Sequence, residues 1–191
     1  MRSNELKGKR IAILATEGFE QAELEKPKEA LENAGARTDV IAPESGIKNG
    51  KIRAWDKTRW GDTIPVDVAL NEAEPDDYDM LVLPGGVMNP DKLRMDVDAV
   101  NFVTEIAARG IPIAAICHGP WTLIEADLVR GRMMTSWPSL QTDLRNAGAD
   151  WVDEEVVEDD GLITSRKPAD IPAFNRKMIE VLGAMQYRKA S

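Results

Sequence analysis

Short runs rich in apolar residues alternate with longer amphipathic segments along most of the chain. The runs are too short for helices and are typical of strands buried on both faces of a sheet. The longer segments carry apolar residues at helical spacing. The strand-like runs are residues 10–15, 37–42, 79–83 and 111–116, and the helical segments are residues 20–34, 97–109 and 171–183. This alternation predicts an α/β fold with a mostly parallel sheet and helices on both faces.

Residues 44–71 break this pattern. The segment is rich in Gly, Lys, Asp and Trp and has no helical period. Residues 51–55 and 63–68 have the composition of short strands around the turn-prone pair Gly61-Asp62. We therefore expect a small β excursion here rather than a second domain.

The first residues of the chain are polar and contain no apolar segment of the kind found in a secretory signal. We expect residues 1–9 to form a loose N-terminal tail. Residues 10–191 are expected to form a single domain, since a chain of 191 residues suits one sizeable core.

The chain carries 33 acidic and 24 basic residues, a formal net charge of −9. This excess argues against nucleic acid as a partner, because phosphate binding needs clustered Lys and Arg. No apolar run approaches the roughly 20 residues of a membrane-spanning helix, so no membrane contact is expected. A single cysteine excludes an intramolecular disulfide and favours a reducing compartment, most simply the cytoplasm.

Cys117 and His118 are the only cysteine and the only histidine, and they are adjacent. One residue of each type argues against a zinc site built by the protein. The sequence also contains no Walker-type phosphate loop and no dinucleotide-binding fingerprint. We therefore predict no metal and no cofactor. The single histidine also excludes a Cys-His-acid triad with a separate downstream histidine, as in class I glutamine amidotransferases.

The segment that runs from Ala115 to Pro120 (Ala-Ile-Cys-His-Gly-Pro) has the layout of a nucleophile elbow. An apolar strand ends, a small nucleophile follows, and Gly-Pro opens a helix, although the Gly-x-Ser-x-Gly spelling is absent. Open parallel sheets bind ligands at this carboxyl edge. Unpaired N–H groups and the dipole at the helix start would stabilise a Cys117 thiolate and could hold an oxyanion. The alternative is a small buried cysteine that only fills space.

His118 could act as a general base or polarise the thiol. Side chains of adjacent residues usually diverge, however. The alternative is therefore a histidine that packs or caps near the turn, although it is the only imidazole that the chain can offer to Cys117.

Three acidic residues follow the first strand and should lie at the same edge of the sheet: Glu17, Glu20 and Glu23. A carboxyl group beside a thiolate has a raised pKa and can donate a hydrogen bond to the sulfur. The alternative is an acidic first turn of a helix, which is common. The two interpretations are compatible for different members of the group.

A glycine pair ends the strand at residues 79–83. Gly85 and Gly86 permit a close backbone approach or an anion-binding nest, or they simply form a turn. The backbone at these two glycines and at His118 is our candidate for holding an oxyanion.

Several segments together resemble the ThiJ/PfpI superfamily, and specifically its branch of PfpI-like intracellular proteases and general stress proteins. The resemblance covers residues 10–184. The matching segments are Gly18–Leu24, Leu81–Gly86, Ala115–Pro120, Leu128–Arg132, Asn146–Ala149, Glu155–Val157, Thr164–Arg166 and Pro168–Asp170. Their number makes the resemblance far more specific than any single motif.

This resemblance implies a fold and an assembly. The fold is a flavodoxin-like three-layer α/β sandwich of the class I glutamine amidotransferase-like type. Members of the superfamily form homodimers and sometimes hexamers, and we expect the same of this chain.

The resemblance also implies roles for individual residues. Cys117 is the nucleophile, and His118 follows it in the active site. An acidic residue just after the Pro-Gly-Gly loop, here Asp91, approaches the site from a neighbouring subunit. A glutamate after the first strand contacts the cysteine, with Glu23 the first candidate and Glu20 the second.

The sequence departs from the superfamily pattern at tryptophans. The insertion from Trp55 to Trp60 is longer than in the shortest relatives, and Trp121 stands where relatives often carry Gln. Both changes could alter access to the site.

Three functions are compatible with a reactive Cys117. The leading hypothesis is a stress-response cysteine hydrolase, in which Cys117 attacks the amide carbonyl of a peptide and His118 shuttles the proton. The second is a cofactor-independent glyoxalase or protein deglycase, in which Cys117 adds to the aldehyde of methylglyoxal or its adducts. The third is an oxidisable stress sensor without turnover.

Overall fold

The computed structural model describes residues 4–189, with side chains up to residue 185. The helices and strands of the chain follow in order. They are β1 (Arg10–Leu14), β2 (Phe19–Glu20), α1 (Gln21–Asn33), β3 (Arg37–Ala42), β4 (Lys51–Asp56), β5 (Arg59–Pro65), β6 (Val68–Ala69), β7 (Met80–Leu83), α2 (Met88–Leu93), α3 (Val97–Ala108), β8 (Ile113–Ile116), α4 (Pro120–Glu125), β9 (Met133–Met134), α5 (Gln141–Asn146), β10 (Asp150–Trp151), β11 (Val156–Asp159), β12 (Leu162–Ser165) and α6 (Ile171–Lys189).

A seven-stranded sheet in the order β11-β12-β8-β7-β1-β3-β6 forms the middle of the structure. All neighbouring strands in it are parallel except β11, which pairs antiparallel with β12. Parallel order brings the carboxyl ends of β1, β7 and β8 to one edge of the sheet. The loops that follow these three strands carry the predicted functional residues.

Both faces of the sheet are buried. In β1, Ile11 and Ile13 pack on the side covered by α1 and α6, whereas Ala12 and Leu14 pack on the side covered by α3, α4 and α5. Successive side chains of a strand point to opposite faces, so each strand contributes to two cores. The result is three layers, and the predicted α/β fold with a mostly parallel sheet is confirmed.

The predicted β excursion is a second, three-stranded sheet in the order β2-β4-β5. Strand β4 pairs with β2 through Phe19 opposite Ala54 and Glu20 opposite Trp55. The hairpin formed by β4 and β5 is thereby attached to the segment that leads directly into α1.

Helix α2 is absent from the sequence predictions, because Asn89-Pro90-Asp91 has the composition of a turn. In the structure Pro90 lies in the first turn of this six-residue helix, where its missing N–H costs no helical hydrogen bond.

The expectation of a loose tail over residues 1–9 is wrong from Leu6 onward. Leu6 is fully buried, and its N–H donates to the carbonyl oxygen of Ala34 at 2.8 Å. Lys9 pairs with Asp79, with 2.8 Å between Nζ and Oδ1. Residues 1–3 lie outside the described residues.

Across residues 4–189, no helix combines the length and the apolar character that crossing a membrane requires.

Candidate active site

Cys117 occupies a sharp turn between β8 and α4. Its φ is +62°, in the left-handed region that a side chain rarely adopts. The turn is tied on both sides: the Cys117 N–H donates to Ser165 O at 3.0 Å, and the Cys117 carbonyl accepts from Trp137 N–H at 2.9 Å. Such a strained and over-determined backbone is typical of a nucleophile elbow.

Two glycines let neighbouring chain segments approach this turn. A Cβ at Gly85 would lie 2.5 Å from Glu23 Oε2 and 2.7 Å from Cys117 Cβ. A Cβ at Gly119 would lie 2.6 Å from the carbonyl oxygen of Leu83. Both separations are far below normal contact, so only glycine allows this close packing around the nucleophile.

Glu23 reaches the turn from the first helical turn of α1. Its side chain is fully buried, and Oε2 accepts the Gly85 N–H at 2.9 Å. The carboxyl group lies against the thiol of Cys117. Its second oxygen, Oε1, has no hydrogen-bond partner of good geometry among the described residues. A proton on this carboxyl group would give Glu23 a donor to direct at sulfur.

The pKa values of the two acids are coupled. Burial raises the pKa of Glu23 to about 8, and the charge of Glu20 adds to the rise. Burial and then the adjacent Glu23 carboxylate raise the pKa of the Cys117 thiol, while the N–H groups of His118 and Gly86 lower it. Two acids in contact in a dry site do not both ionise at neutral pH. The helix-start effect predicted from the sequence is therefore opposed by burial, and ionising Cys117 requires a proton acceptor beside it.

His118 lies beside the thiol and has a ring nitrogen that can accept a proton. Its Nδ1 lies 3.2 Å from Cys117 Sγ, and burial lowers the pKa of the imidazole, so the ring is neutral at neutral pH. Adjacent side chains meet here because the left-handed turn at Cys117 swings them together.

Two tryptophans enclose the imidazole of His118. The ring centroid of Trp121 lies 5.1 Å from that of His118, with an angle of 66° between the ring planes. The ring centroid of Trp137 lies 6.1 Å away, with an interplanar angle of 23°. Trp121 stands out in the sequence because it follows His-Gly-Pro directly. Trp137 does not, because no local pattern indicates that a residue twenty positions after Cys117 donates to the Cys117 carbonyl.

The predicted oxyanion donors divide into two groups. The N–H of Gly85 is already donated to Glu23, so the prediction for this glycine is corrected: it positions the carboxyl group. The N–H groups of Gly86 and His118 face the sulfur and stay our candidates for stabilising negative charge.

Two further predicted acids, Glu20 and Asp91, lie further out. Glu20 is half-buried, which raises its pKa, and it accepts the N–H of Lys57 in the hairpin turn. Asp91 is exposed on α2 and lines a groove with Arg94 and Met95 that does not include Cys117. One chain by itself does not bring Asp91 into the site, and its approach from a neighbouring subunit stays a prediction.

Asn89 is a supporting residue that sequence reasoning missed. It is fully buried, and its Nδ2 donates to Pro84 O at 3.0 Å and to Gly85 O at 3.2 Å. Its Oδ1 accepts the Thr16 N–H at 2.8 Å. Asn89 therefore holds the Pro-Gly-Gly loop against the end of β1.

Within the part of the chain that the structure describes, no group of three or more His, Cys, Asp or Glu residues is arranged to hold a metal ion.

The family model of DJ-1/PfpI proteins matches residues 9–181, which include the elbow, the Glu23 helix and the glycine pair. The chain belongs to the DJ-1/PfpI family. The resemblance to the ThiJ/PfpI superfamily inferred from the motifs is confirmed at the level of the family.

Two relatives that are named as deglycases match nearly the whole chain. The chain is 41% identical over 179 residues to protein/nucleic acid deglycase 2 of Escherichia coli (strain K12), covering 92% of this chain and 99% of that protein. It is 40% identical over 173 residues to a deglycase of Pyrococcus abyssi, covering 91% of this chain and 99% of that protein.

A solved structure of a two-domain protein from Anabaena variabilis, with DJ-1/ThiJ/PfpI-like and ferritin-like domains, is 38% identical with a TM-score of 0.85. The match covers 92% of this chain but 48% of that one. This chain therefore matches about half of the two-domain protein.

Proposed function

We propose that this protein is a cofactor-independent deglycase in which Cys117 attacks carbonyl adducts of amino groups, as formed by methylglyoxal. The observation that carries the proposal is the buried Glu23 carboxyl group against the Cys117 thiol, with a pKa raised to about 8. Such a group can hold and return a proton at neutral pH. The names of the two deglycase relatives support the same choice over the peptidase hypothesis.

The first step exchanges the amine for sulfur. His118 accepts the thiol proton, and the Cys117 thiolate attacks the carbinol carbon of the adduct. A carbon–sulfur bond forms, the carbon–nitrogen bond breaks, and the leaving amine takes the proton of the Glu23 carboxyl group, which leaves Glu23 as the carboxylate. The product on the enzyme is a hemithioacetal with a neighbouring ketone.

The second stage moves a proton between adjacent carbons. Glu23, as the carboxylate, removes the hydrogen from the hemithioacetal carbon as a proton and returns it to the neighbouring carbon, while the hemithioacetal hydroxyl proton passes to the ketone oxygen. The former aldehyde carbon is thereby oxidised to a thioester while the ketone is reduced to an alcohol, so no external oxidant is required. Water then hydrolyses the thioester to a hydroxy acid and regenerates Cys117.

Access to the sulfur also favours a small carbonyl group. Cys117 is 7% exposed and His118 is 8% exposed. An adduct at the tip of a flexible side chain needs less room at the sulfur than the main-chain amide of an extended peptide. We therefore place peptide hydrolysis second.

We also propose an oligomeric state for the protein. We expect a homodimer, with a hexamer as the larger alternative, in which Asp91 of one subunit approaches the site of another. We also expect the protein to act in the cytoplasm without a metal or cofactor.

The test compares the wild type with Cys117→Ala on three substrates. These are the methylglyoxal adduct of N-acetyl-lysine, free methylglyoxal and a fluorogenic peptide panel, with lactate followed by NMR and oligomeric state by light scattering. We expect lactate and free N-acetyl-lysine from the wild type, and a loss of at least about 10³-fold in Cys117→Ala.

Three outcomes would contradict the proposal. Equal rates in the two proteins would remove Cys117 from the chemistry. Turnover of peptides alone would restore the hydrolase hypothesis. Oxygen addition to Cys117 by peroxide, seen by intact mass without turnover of any substrate, would favour the sensor.

A further inference from the structure

The imidazole of His118 has few bonds of its own. Its Nδ1 contacts Cys117 Sγ at 3.2 Å, and this is the only side-chain hydrogen bond it makes among the described residues. The outer torsion of a histidine side chain is broad and roughly two-fold, so a single contact does not fix the ring. The ring must be held from outside if Nδ1 is to stay at the sulfur.

Trp121 and Trp137 form a clamp on this ring, which we call the tryptophan clamp. The Trp137 ring stacks on the imidazole with an interplanar angle of 23°, whereas the Trp121 ring packs edge-to-face against it with an interplanar angle of 66°. Offset-stacked and edge-to-face arrangements are the preferred geometries of aromatic pairs. Together they contact the imidazole in two different orientations.

Each half of the clamp is anchored differently. Trp137 is fixed by its backbone, through the bond from its N–H to the Cys117 carbonyl. Trp121 is fixed by its side chain: the indole Nε1 donates to Asp143 Oδ2 at 3.0 Å, and the Arg94 guanidinium lies 5.6 Å from its ring centroid. Trp121 thus connects α4 to α5 and to the end of α2.

We propose that Trp121 is a positioning residue, which holds His118 Nδ1 against Cys117 Sγ and depends for its own orientation on Asp143. The inference rests on the proposed function only in assigning the thiol proton to His118. It applies equally to a hydrolase that uses the same pair. Trp121 does not react; it acts through the orientation of the imidazole.

The single histidine makes the proposal directly measurable. Protein labelled with ¹⁵N and ¹³C on histidine gives one set of imidazole signals, which report the tautomer and the pKa of His118 without any substrate. The rate of Cys117 alkylation by iodoacetamide gives a second readout that needs no turnover.

The variants remove the clamp in steps. Trp121→Ala should shift the His118 signals, raise its pKa toward the ordinary value as burial is lost, and lower kcat by about 10²-fold with KM changed less than about threefold. Trp121→Phe keeps an aromatic ring but loses the indole donor, and Asp143→Ala keeps Trp121 but removes the acceptor. Both should give smaller changes of the same kind, about three- to tenfold in kcat.

Trp60→Phe is the matched control. The ring centroid of Trp60 lies 5.5 Å from that of Trp55 in the hairpin, and Trp60 makes no ring contact with His118. The His118 signals of the Trp60→Phe variant should therefore match those of the wild type. If Trp121→Ala does not fold, judged by circular dichroism, Trp121→Phe and Asp143→Ala carry the test.

Two outcomes would overturn the inference. Unchanged His118 signals in folded Trp121 and Asp143 variants would exclude positioning. A rise in KM with unchanged His118 signals would instead make Trp121 a substrate contact. If the wild type does not turn over the adducts but the His118 signals still shift in the Trp121 and Asp143 variants, the deglycase proposal fails and the positioning role of Trp121 stands.

Discussion

Two acidic residues are buried near opposite ends of the central sheet, and they are neutralised in different ways. Asp39, near the amino ends of the strands, is 2% exposed and accepts from Arg10 Nε at 2.6 Å and Arg37 Nε at 3.2 Å. Glu23, at the carboxyl ends, is 0% exposed and has no ion pair with a Lys or Arg among the described residues.

The partner of each buried carboxyl group decides whether that group has a structural or a chemical role. A carboxylate balanced by arginine is fixed, because guanidinium keeps its proton at any ordinary pH. A buried carboxyl group without a cation is neutralised by a proton instead. That proton can leave and return, so Glu23 can take part in acid–base chemistry, whereas the contact of Asp39 with Arg10 joins the neighbouring strands β1 and β3.

The largest expected effect is on the pH dependence of stability, which reports whether Glu23 is protonated in the folded protein. The unfolded carboxyl group ionises above about 4.5, whereas the folded group keeps its proton up to about 8. The folded state therefore binds more protons between these values, and the free energy of unfolding should fall as pH rises through this window. The loss between pH 5 and pH 8 should reach at most about 4 kcal/mol.

Glu23→Gln should remove this pH dependence. Urea unfolding of both proteins at pH 5 and pH 8 measures it, and the difference between the two pH values cancels any constant effect of the amide. Parallel pH dependences in the two proteins would mean that Glu23 is not held protonated. The variant should also lose at least about 10²-fold in turnover.

Gly85→Ala should displace Glu23 and Cys117 by crowding at the carboxyl edge of the sheet. The added Cβ would meet Glu23 Oε2 at 2.5 Å and Cys117 Cβ at 2.7 Å. We expect about 10²-fold lower kcat and a loss of about 1–3 kcal/mol in stability.

Gly183→Ala provides the matched control for Gly85→Ala. Only Glu5 Oε1 lies near its added Cβ, at 3.7 Å, and the residue is inside α6. Alanine is the better helix former, so this variant should be more stable by about 0.5–1 kcal/mol with unchanged kcat. Comparable losses in both variants would show that the crowding at Gly85 is not specific to the site.

Asp39→Asn should affect stability without affecting turnover. The substitution leaves Arg10 and Arg37 beside a neutral amide, but both arginines reach solvent, so we expect a loss of about 2 kcal/mol. Thermal unfolding and kcat for the adduct measure the two effects. A fall in kcat beyond about threefold would mean that the two ends of the sheet are coupled.

Lys9→Met should have the smallest effect. Lys9 is buried, but its partner Asp79 is partly exposed, and Asp79 Oδ2 still accepts the Arg10 N–H at 3.0 Å. We expect about 1 kcal/mol or less in the free energy of unfolding and no change in activity. A loss of about 2 kcal/mol or more would place the Lys9–Asp79 pair in the same class as the arginine contacts of Asp39.

Local patterns in the sequence determined the layers and the position of the nucleophile. Buried strands β1, β3, β7 and β8 and helices α1, α3 and α6 follow from apolar spacing, since both periodicities act over a few neighbouring residues. The turn at Cys117 follows in the same way, because an apolar run ends at a cysteine and Gly-Pro opens a helix. The family motifs added Glu23 as the leading partner.

Only the tertiary structure decided how the site is charged and enclosed. Glu23 and Gly85 are 62 positions apart, so the loss of the Gly85 N–H as an oxyanion donor has no local signature. The burial that raises the pKa of Cys117, and the closure of Trp137 over His118, likewise arise from segments that meet only in the folded chain. Burial depends on everything packed around a group, whereas a motif records only its neighbours along the chain.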